Sequence, residues 1–462
     1  MVVRYFIAVL TVTHIHTLSQ VLDTGSHTEG YNQSHEESPE SHGGGRSRHQ
    51  KFLNLFSVIR FSNTPCHGIE GVNGTCYTKK ECGIRGGQVS GSCAGGFGVC
   101  CTFSLGCGSM TSENCTYLTT DTSTSMCDYT VCKCNPDITL LRLDFAEFEL
   151  AQPFTCGSSS TPVQCGVSDG PLIGDCIYDT FTVTSPGNPS PPVICGYNTG
   201  QHMYVEASDL CNKIVINMEL LKVFTRRWDI KVTQYEGTQD QRFLAPPGCL
   251  QWLTGSLGTI QNFNFKDENS YHLSSQRYSI CWRRERGKCS LCMAIGYFGM
   301  SNVPSKVPSS STTPWTRLAG YSDSICCSED SPTANCGTAG ANDFIEIEGA
   351  RQPPANGVFN VGDGNRFCGR WLGLGGPTTV VPTYTYSAQN ALRTICTQVI
   401  PYRLRVTFSD GEVLSSTAAN VCGTSRPTAA TGDTEDECSE FRLYGNRKGT
   451  LGFQLDWWQN DC

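Results

Sequence analysis

Charge is sparse in this sequence. Only 16% of its 462 residues are Asp, Glu, Lys or Arg, and the net charge is −8. That excludes the basic face a nucleic-acid partner requires. Helical periodicity is scarce throughout, which argues against a helical architecture. Beyond the N-terminus no apolar run approaches the 18 residues of a spanning helix, so no membrane span is expected. The motifs of common hydrolases are also missing. GDSGG and the A-A-H-C context of a trypsin-like base do not occur, and GDC at 174–176 carries Cys176 where such a serine would stand. HExxH is absent. His202 and His272 are the two histidines of the β-rich region. Neither lies near a matching serine motif, so each reads as a surface or core histidine and no enzyme is expected.

Cysteine is absent from the first 65 residues and abundant afterwards, with twenty-eight in all. So many thiols fit an oxidising compartment. The N-terminus agrees, because Arg4 precedes a short apolar stretch over 5–12. That stretch is a signal-peptide core, too short to span a bilayer. Residues 1–20 are assigned to the signal peptide and 21–60 to a polar linker that cannot bury a core. His27, His35, His42 and His49 recur in that linker. Without an ordered scaffold to fix ligands, they read as solvated rather than metal-binding. The chain is expected to be secreted. The sequons at Asn32, Asn73 and Asn114 then become surface candidates, with Asn73 and Asn114 the glycosylation sites singled out.

Residues 61–106 hold Cys66, Cys76, Cys82, Cys93, Cys100 and Cys101. So short a segment lacks a self-supporting core and needs crosslinks. Neighbouring Cα atoms lie about 3.8 Å apart, too close for a relaxed bond between Cys100 and Cys101. The pair therefore reaches in two directions. Six cysteines allow fifteen pairings, and spacing does not choose among them. Zinc would want C-x2-4-C knuckles, which are missing here.

From Cys107 the texture is β. Leu141, Leu143 and Phe145 alternate with Arg142 and Asp144 within 140–150, and Trp228, Ile230 and Val232 alternate with polar residues within 227–235. The segments 179–185, 258–265, 343–349, 402–411 and 452–458 alternate likewise, while 186–193 is a turn region and 303–315 and 425–437 are long loops. The fold class is all-β: two antiparallel sandwiches, at 107–240 and 241–462, behind a small disulfide-rich module. Cys289-Ser-Leu-Cys292 and Cys326-Cys327 read as structural disulfide cysteines rather than redox or zinc sites. The charged run Arg283, Arg284, Glu285, Arg286, Lys288 reads as a wet hairpin, with a recognition loop as the alternative. Trp457 and Trp458 are neighbours on one strand, so one packs inward and the other faces out or is covered.

The spacing C-x9-C-x5-C-x10-C-x6-C-C, ending GVCC, resembles the arthropod clip domain, a module found in front of serine proteases and their homologues. That resemblance implies the pairs Cys66–Cys100, Cys76–Cys93 and Cys82–Cys101. The β region resembles the CUB domain, an extracellular protein-binding sandwich. The first copy carries LRLDFAEFEL and Cys176-Ile-Tyr-Asp179. The second carries DFIEI, RFCG, RLRVTFSDG and a closing GF-x-L-x-W. Taken whole, the chain resembles secreted insect CUB-like proteins with a cysteine-rich front, which implies an arthropod source. Many CUB domains hold calcium through carboxylates at one loop end, as a hard cation prefers oxygen ligands. The resemblance maps Asp343 and Asp410 onto such a site in the second copy, with no clear Glu partner. In the first copy Asp179 matches but Glu219 is a poor substitute for the remaining ligand, so no calcium is expected there. The implied role is non-catalytic recognition of extracellular proteins. A regulator of serine protease cascades and a matrix or cuticle component are the alternatives.

Overall fold

The computed structural model describes residues 63–155, 171, 173–238, 244–266, 271–300, 321–322, 343–352, 360–361, 365–368, 394–409 and 452–462. The expected signal peptide, the linker, both long loops, Cys326-Cys327 and Asp410 lie outside these residues.

The cysteine-rich front is built from β1 (Pro65–His67), β2 (Asn73–Tyr77), a short helix α1 (Lys79–Ile84), β3 (Gln88–Cys93) and β4 (Gly98–Leu105). Thr78 starts the helix, its hydroxyl accepting from the Glu81 amide at 3.1 Å. Its core is small: Tyr77, Cys82, Cys101 and Phe103, with Val99 packed against them. Disulfides Cys66–Cys100, Cys76–Cys93 and Cys82–Cys101 brace it. The adjacent Cys100 and Cys101 thus clamp two separate threads.

The first sandwich contains β5 (Ser109–Thr111), β6 (Thr116–Thr119), β7 (Met126–Val131), β8 (Ile138–Glu149), β9 (Asp179–Thr184), β10 (His202–Glu206), β11 (Asn212–Met218) and β12 (Arg227–Glu236). One sheet runs β4-β6-β12-β8-β10 and the other β5-β7-β11-β9. Because β4 pairs in parallel with β6, the sheet of the front passes without a break into the sandwich. Alternation sets the faces: Leu141, Leu143, Phe145, Trp228, Ile230 and Val232 are buried. Trp228 donates its indole N–H to the Tyr129 hydroxyl at 2.8 Å, and Tyr129 donates to the Thr119 carbonyl at 2.7 Å. Cys107–Cys127, Cys132–Cys211 and Cys176–Cys195 staple this unit.

The second sandwich contains β13 (Gln251–Leu253), β14 (Leu257–Gln261), β15 (Gln276–Trp282), β16 (Lys288–Gly299), β17 (Tyr321–Ser322), β18 (Phe344–Ile347), β19 (Arg351–Gln352), β20 (Asn360–Val361), β21 (Arg366–Cys368), β22 (Thr394–Thr397), β23 (Tyr402–Phe408) and β24 (Gly452–Asp461). Its sheets run β13-β15-β23-β18-β21-β17 and β14-β24-β16-β22-β19-β20. Trp282 and Trp457 meet edge to face at 5.9 Å in its core, while Trp458 is half-buried and donates to Asn460. Cys289 and Cys292 bond to Cys462 and Cys396, not to each other. Cys249–Cys281 closes the start of the sandwich.

A single hydrophobic cluster runs from Leu105 through both sandwiches to Trp457. A buried amide seam lies alongside it. Tyr204 N donates to Leu250 O at 2.7 Å, Gln251 Nε2 to His202 O at 3.2 Å, and Gln201 Nε2 to Asn262 O at 3.1 Å. Asn264 accepts from Tyr197 N at 2.9 Å and donates its own N–H to Asn198 Oδ1 at 2.8 Å. Each of these donors has a partner, which is what makes such a seam specific rather than costly. Gly196 sits against it at φ 70°, where a Cβ would collide with Asn264 Oδ1. Gly196→Ala combines left-handed strain with that collision.

His202 belongs to this seam. Burial, and then the Arg142 guanidinium, push its pKa down to about 3, while its Nε2 accepts from Trp252 N at 3.1 Å. An unfolded imidazole titrates near ~6.5. Below that value the unfolded chain takes up a proton that the fold refuses, so stability falls as pH drops from about 6.5 towards about 3. Moving from neutral pH to pH ~5 should cost about 2 kcal/mol through this group. Urea unfolding at the two pH values measures it, and His202→Gln should flatten that part of the slope.

Candidate functional site

Each sandwich places a buried aspartate at the start of a core strand. In the first, Asp179 opens β9 and is fully buried. Its Oδ2 accepts from Ala151 N at 2.8 Å and its Oδ1 from Glu219 N at 3.1 Å. Arg226 grips both oxygens, Nε to Oδ2 at 2.7 Å and Nη2 to Oδ1 at 2.9 Å. The resemblance allotted no calcium to this copy, and a guanidinium supplies the positive charge that faces Asp179. Arg226 also donates to the Glu219 carbonyl at 2.6 Å, so it closes the base of the loop between β11 and β12.

In the second, Asp343 precedes β18 and is also fully buried. Its Oδ1 accepts from Ser409 N at 2.7 Å and from the Ser409 hydroxyl at 2.8 Å. Its Oδ2 lies 3.3 Å from His272 Nε2, and the His272 ring stacks on Phe408 with centroids 4.1 Å apart. Burial would raise this carboxyl, but the His272 contact and the two Ser409 donors outweigh it and hold the pKa below the usual value. Both Ser409 donors therefore serve to hold the Asp343 carboxylate in place at the start of β18. Asp410, the partner implied for calcium, lies outside the described residues. Among the described residues no group of three or more His, Cys, Asp or Glu converges as a metal site.

The loop of residues 219–226 stands on the Asp179–Arg226 pair. Tyr178 and Phe224 pack at 5.2 Å, Lys222 Nζ lies 4.0 Å above the Tyr178 ring, and Arg226 lies 5.3 Å from the Phe224 ring. On this scaffold Leu221 and Val223 are 94% and 101% exposed, and Leu220 is exposed beside them. Ile177, just before β9, and Met126, at the start of β7 opposite Asn217, are exposed at the same end of the sandwich.

The charged hairpin between β15 and β16 is tied to its surroundings. Arg283 grips Glu285, Glu285 accepts from Gly255 N at 2.7 Å, and Lys288 reaches Asp461 at 2.7 Å. Arg284 and Arg286 face solvent. Among the described residues two cysteines are unpaired: Cys115 is buried and Cys134 exposed. Burial pushes the Cys115 thiol up, which keeps it unreactive.

The two sequons differ in environment. Asn114 Oδ1 accepts from Gln234 N at 2.8 Å and its Nδ2 donates to Gln234 O at 3.0 Å, so the side chain fills the place of a neighbouring strand. A glycan on that nitrogen would break the pairing. Asn73 points its Oδ1 towards His67 at the surface of β2. We expect glycan on Asn73 and none on Asn114. Site-resolved mass analysis checks this, with Asn73→Gln removing the glycan mass.

Two features escaped the sequence reading. Nothing in FTRRWD marks Arg226 as the partner of Asp179, 47 residues earlier. The apolar letters of MELLKVF suggest core, yet the loop turns Leu220, Leu221 and Val223 outward.

Comparison with known proteins bears on the second half of the chain. Residues 246–460 match the family model of the animal CUB domain. No curated protein sequence matches. Among solved structures, the CUB1-EGF-CUB2 domains of rat MASP-1 are similar at 12% identity over 77% of this chain and 99% of that one, with a TM-score of 0.19. The CUB1-EGF-CUB2 domain of human MASP-1/3 is similar at 12% identity over 74% and 98%, TM-score 0.18. The full extracellular region of zebrafish Gpr126/Adgrg6 is similar at 9% identity over 78% and 37%, TM-score 0.18.

Proposed function

We propose that this chain is a secreted, non-catalytic recognition protein of the extracellular space. The observation that carries the reading is the match of residues 246–460 to the animal CUB domain, a module of extracellular protein recognition. The crosslinks and the amide seam support it. A scaffold fixed before binding loses little conformational freedom when a partner docks, so more of the contact energy appears as affinity. The test is crosslinking of the intact protein in native extracellular fluid, followed by reconstitution with the purified partner. A saturable complex that survives mutation of every exposed histidine and serine supports recognition without catalysis. Turnover of a substrate by the purified chain overturns it.

A second reading, regulation of a serine protease cascade, is favoured by the front module. Its first cysteine is bonded to the fifth, the second to the fourth and the third to the sixth. It predicts that the partner recovered by crosslinking is a protease or its zymogen, and that a protein truncated before residue 107 loses that partner.

A further inference from the structure

The 219–226 loop carries the most exposed aliphatic side chains of the described residues. Leu221 and Val223 are 94% and 101% exposed, with Leu220, Ile177 and Met126 exposed around them. Exposed leucines scattered singly need no explanation, but five aliphatic or thioether side chains at one end of a sandwich do. The loop is not loosely hung. Three of its polar backbone atoms are paired at its base: Glu219 N reaches Tyr178 O and Asp179 Oδ1, Leu221 N reaches Glu219 Oε1, and Glu219 O accepts from Arg226. The tip can therefore leave water without stranding these groups.

The chemistry of the tip separates two occupants. Hot spots for a protein partner are rich in Trp, Tyr and Arg and poor in Leu and Val, and interface cores are depleted in Lys. This tip has the opposite composition: Leu220, Leu221 and Val223 with Lys222 among them. Below the aliphatic tip sit the half-buried rings of Tyr178 and Phe224, with the Lys222 ammonium over Tyr178. Aliphatic side chains outermost, an aromatic layer behind them and a cation at that level match the layering of a bilayer surface. The acidic side chain in the loop, Glu219, is spent on Leu221 N.

We propose that the 219–226 tip inserts into the surface of an anionic lipid bilayer, Leu221 and Val223 entering the acyl boundary and Lys222 meeting the headgroups. This goes beyond protein recognition and leaves the rest of the surface free for a partner.

The test is cosedimentation of the full chain with vesicles of phosphatidylcholine, alone or containing phosphatidylserine. The wild-type chain should sediment with both and more strongly with the anionic vesicles. Leu221→Glu with Val223→Glu should lower the lipid partition constant at least about tenfold on both, because two aliphatic side chains lose their burial. Lys222→Glu should weaken binding to anionic vesicles and leave the neutral ones unaffected. Both variants alter exposed side chains, so an unchanged urea midpoint should confirm that each is folded. Failure of the wild-type chain to sediment, or sedimentation of the double variant like the wild type, overturns the proposal. Failure to sediment together with tip-dependent crosslinking to a protein would assign the tip to an apolar groove of that protein instead. Loss of vesicle binding would leave the crosslinked complex of the recognition reading unaffected, so the two can fail separately.

Discussion

Arg226→Ala should lower the stability of the chain by about 3–5 kcal/mol, the loss expected when one partner of a buried ion pair is removed. Arg226 and Asp179 are 7% and 0% exposed at their side chains, and the guanidinium contacts both carboxylate oxygens. Without it, Asp179 keeps two backbone donors but no neutralising charge. Asp179→Asn on that background should recover part of the loss, because the stranded charge is the larger cost; the double-mutant cycle measures how much. The neighbouring residue provides the control. Arg227 pairs with Glu149 at 2.9 Å but is 55% exposed, so Arg227→Ala should cost no more than about 1 kcal/mol. Urea unfolding of the four variants, Arg226→Ala, Asp179→Asn, their combination and Arg227→Ala, decides the matter, and equal effects at Arg226 and Arg227 would refute the assignment.

Removing Cys289–Cys462 should have an effect of similar size. The bond spans 173 residues, and Cys292–Cys396 beside it spans 104. Loop-closure entropy grows with the logarithm of the span, so a bond of this reach restrains the unfolded chain strongly. The nested second bond shortens the effective loop and reduces the gain. Cys289→Ser with Cys462→Ser should therefore cost about 2–5 kcal/mol. The change should exceed that for Cys76→Ser with Cys93→Ser, whose bond spans 17 residues. Comparing the two unfolding midpoints, with matched slopes, tests that order.

Strand identity was legible wherever one face is wet. In β8, Leu141, Leu143 and Phe145 face the core while Arg142 and Asp144 pair on the outer side at 2.7 Å. In β23, Leu404, Val406 and Phe408 are buried by the same alternation. The pattern misled at 258–265, where alternation continues but β14 ends at Gln261. Asn264 takes φ 63° and turns its amide into the seam, while the Asn262 side chain bonds Phe453 N and Phe263 O, so Phe263 and Phe265 are buried without belonging to the strand. Polar residues that serve a contact between distant segments carry no periodic signal of that contact. The same limit hid the Arg226–Asp179 pair, and it hid the outward turn of Leu221 and Val223, whose letters resemble core. The candidate calcium residues were recognisable only by resemblance. Of these, Asp343 is committed to Ser409 and His272.

The account as a whole rests on covalent bracing of small strand packets, and a peptide map of the unreduced, alkylated protein addresses it most directly. Among the described residues it should return nine bonds: Cys66–Cys100, Cys76–Cys93, Cys82–Cys101, Cys107–Cys127, Cys132–Cys211, Cys176–Cys195, Cys249–Cys281, Cys289–Cys462 and Cys292–Cys396. Under denaturing conditions the alkylating reagent should label Cys115 and Cys134. Reagent on most of the eighteen cysteines of these nine bonds would contradict the account.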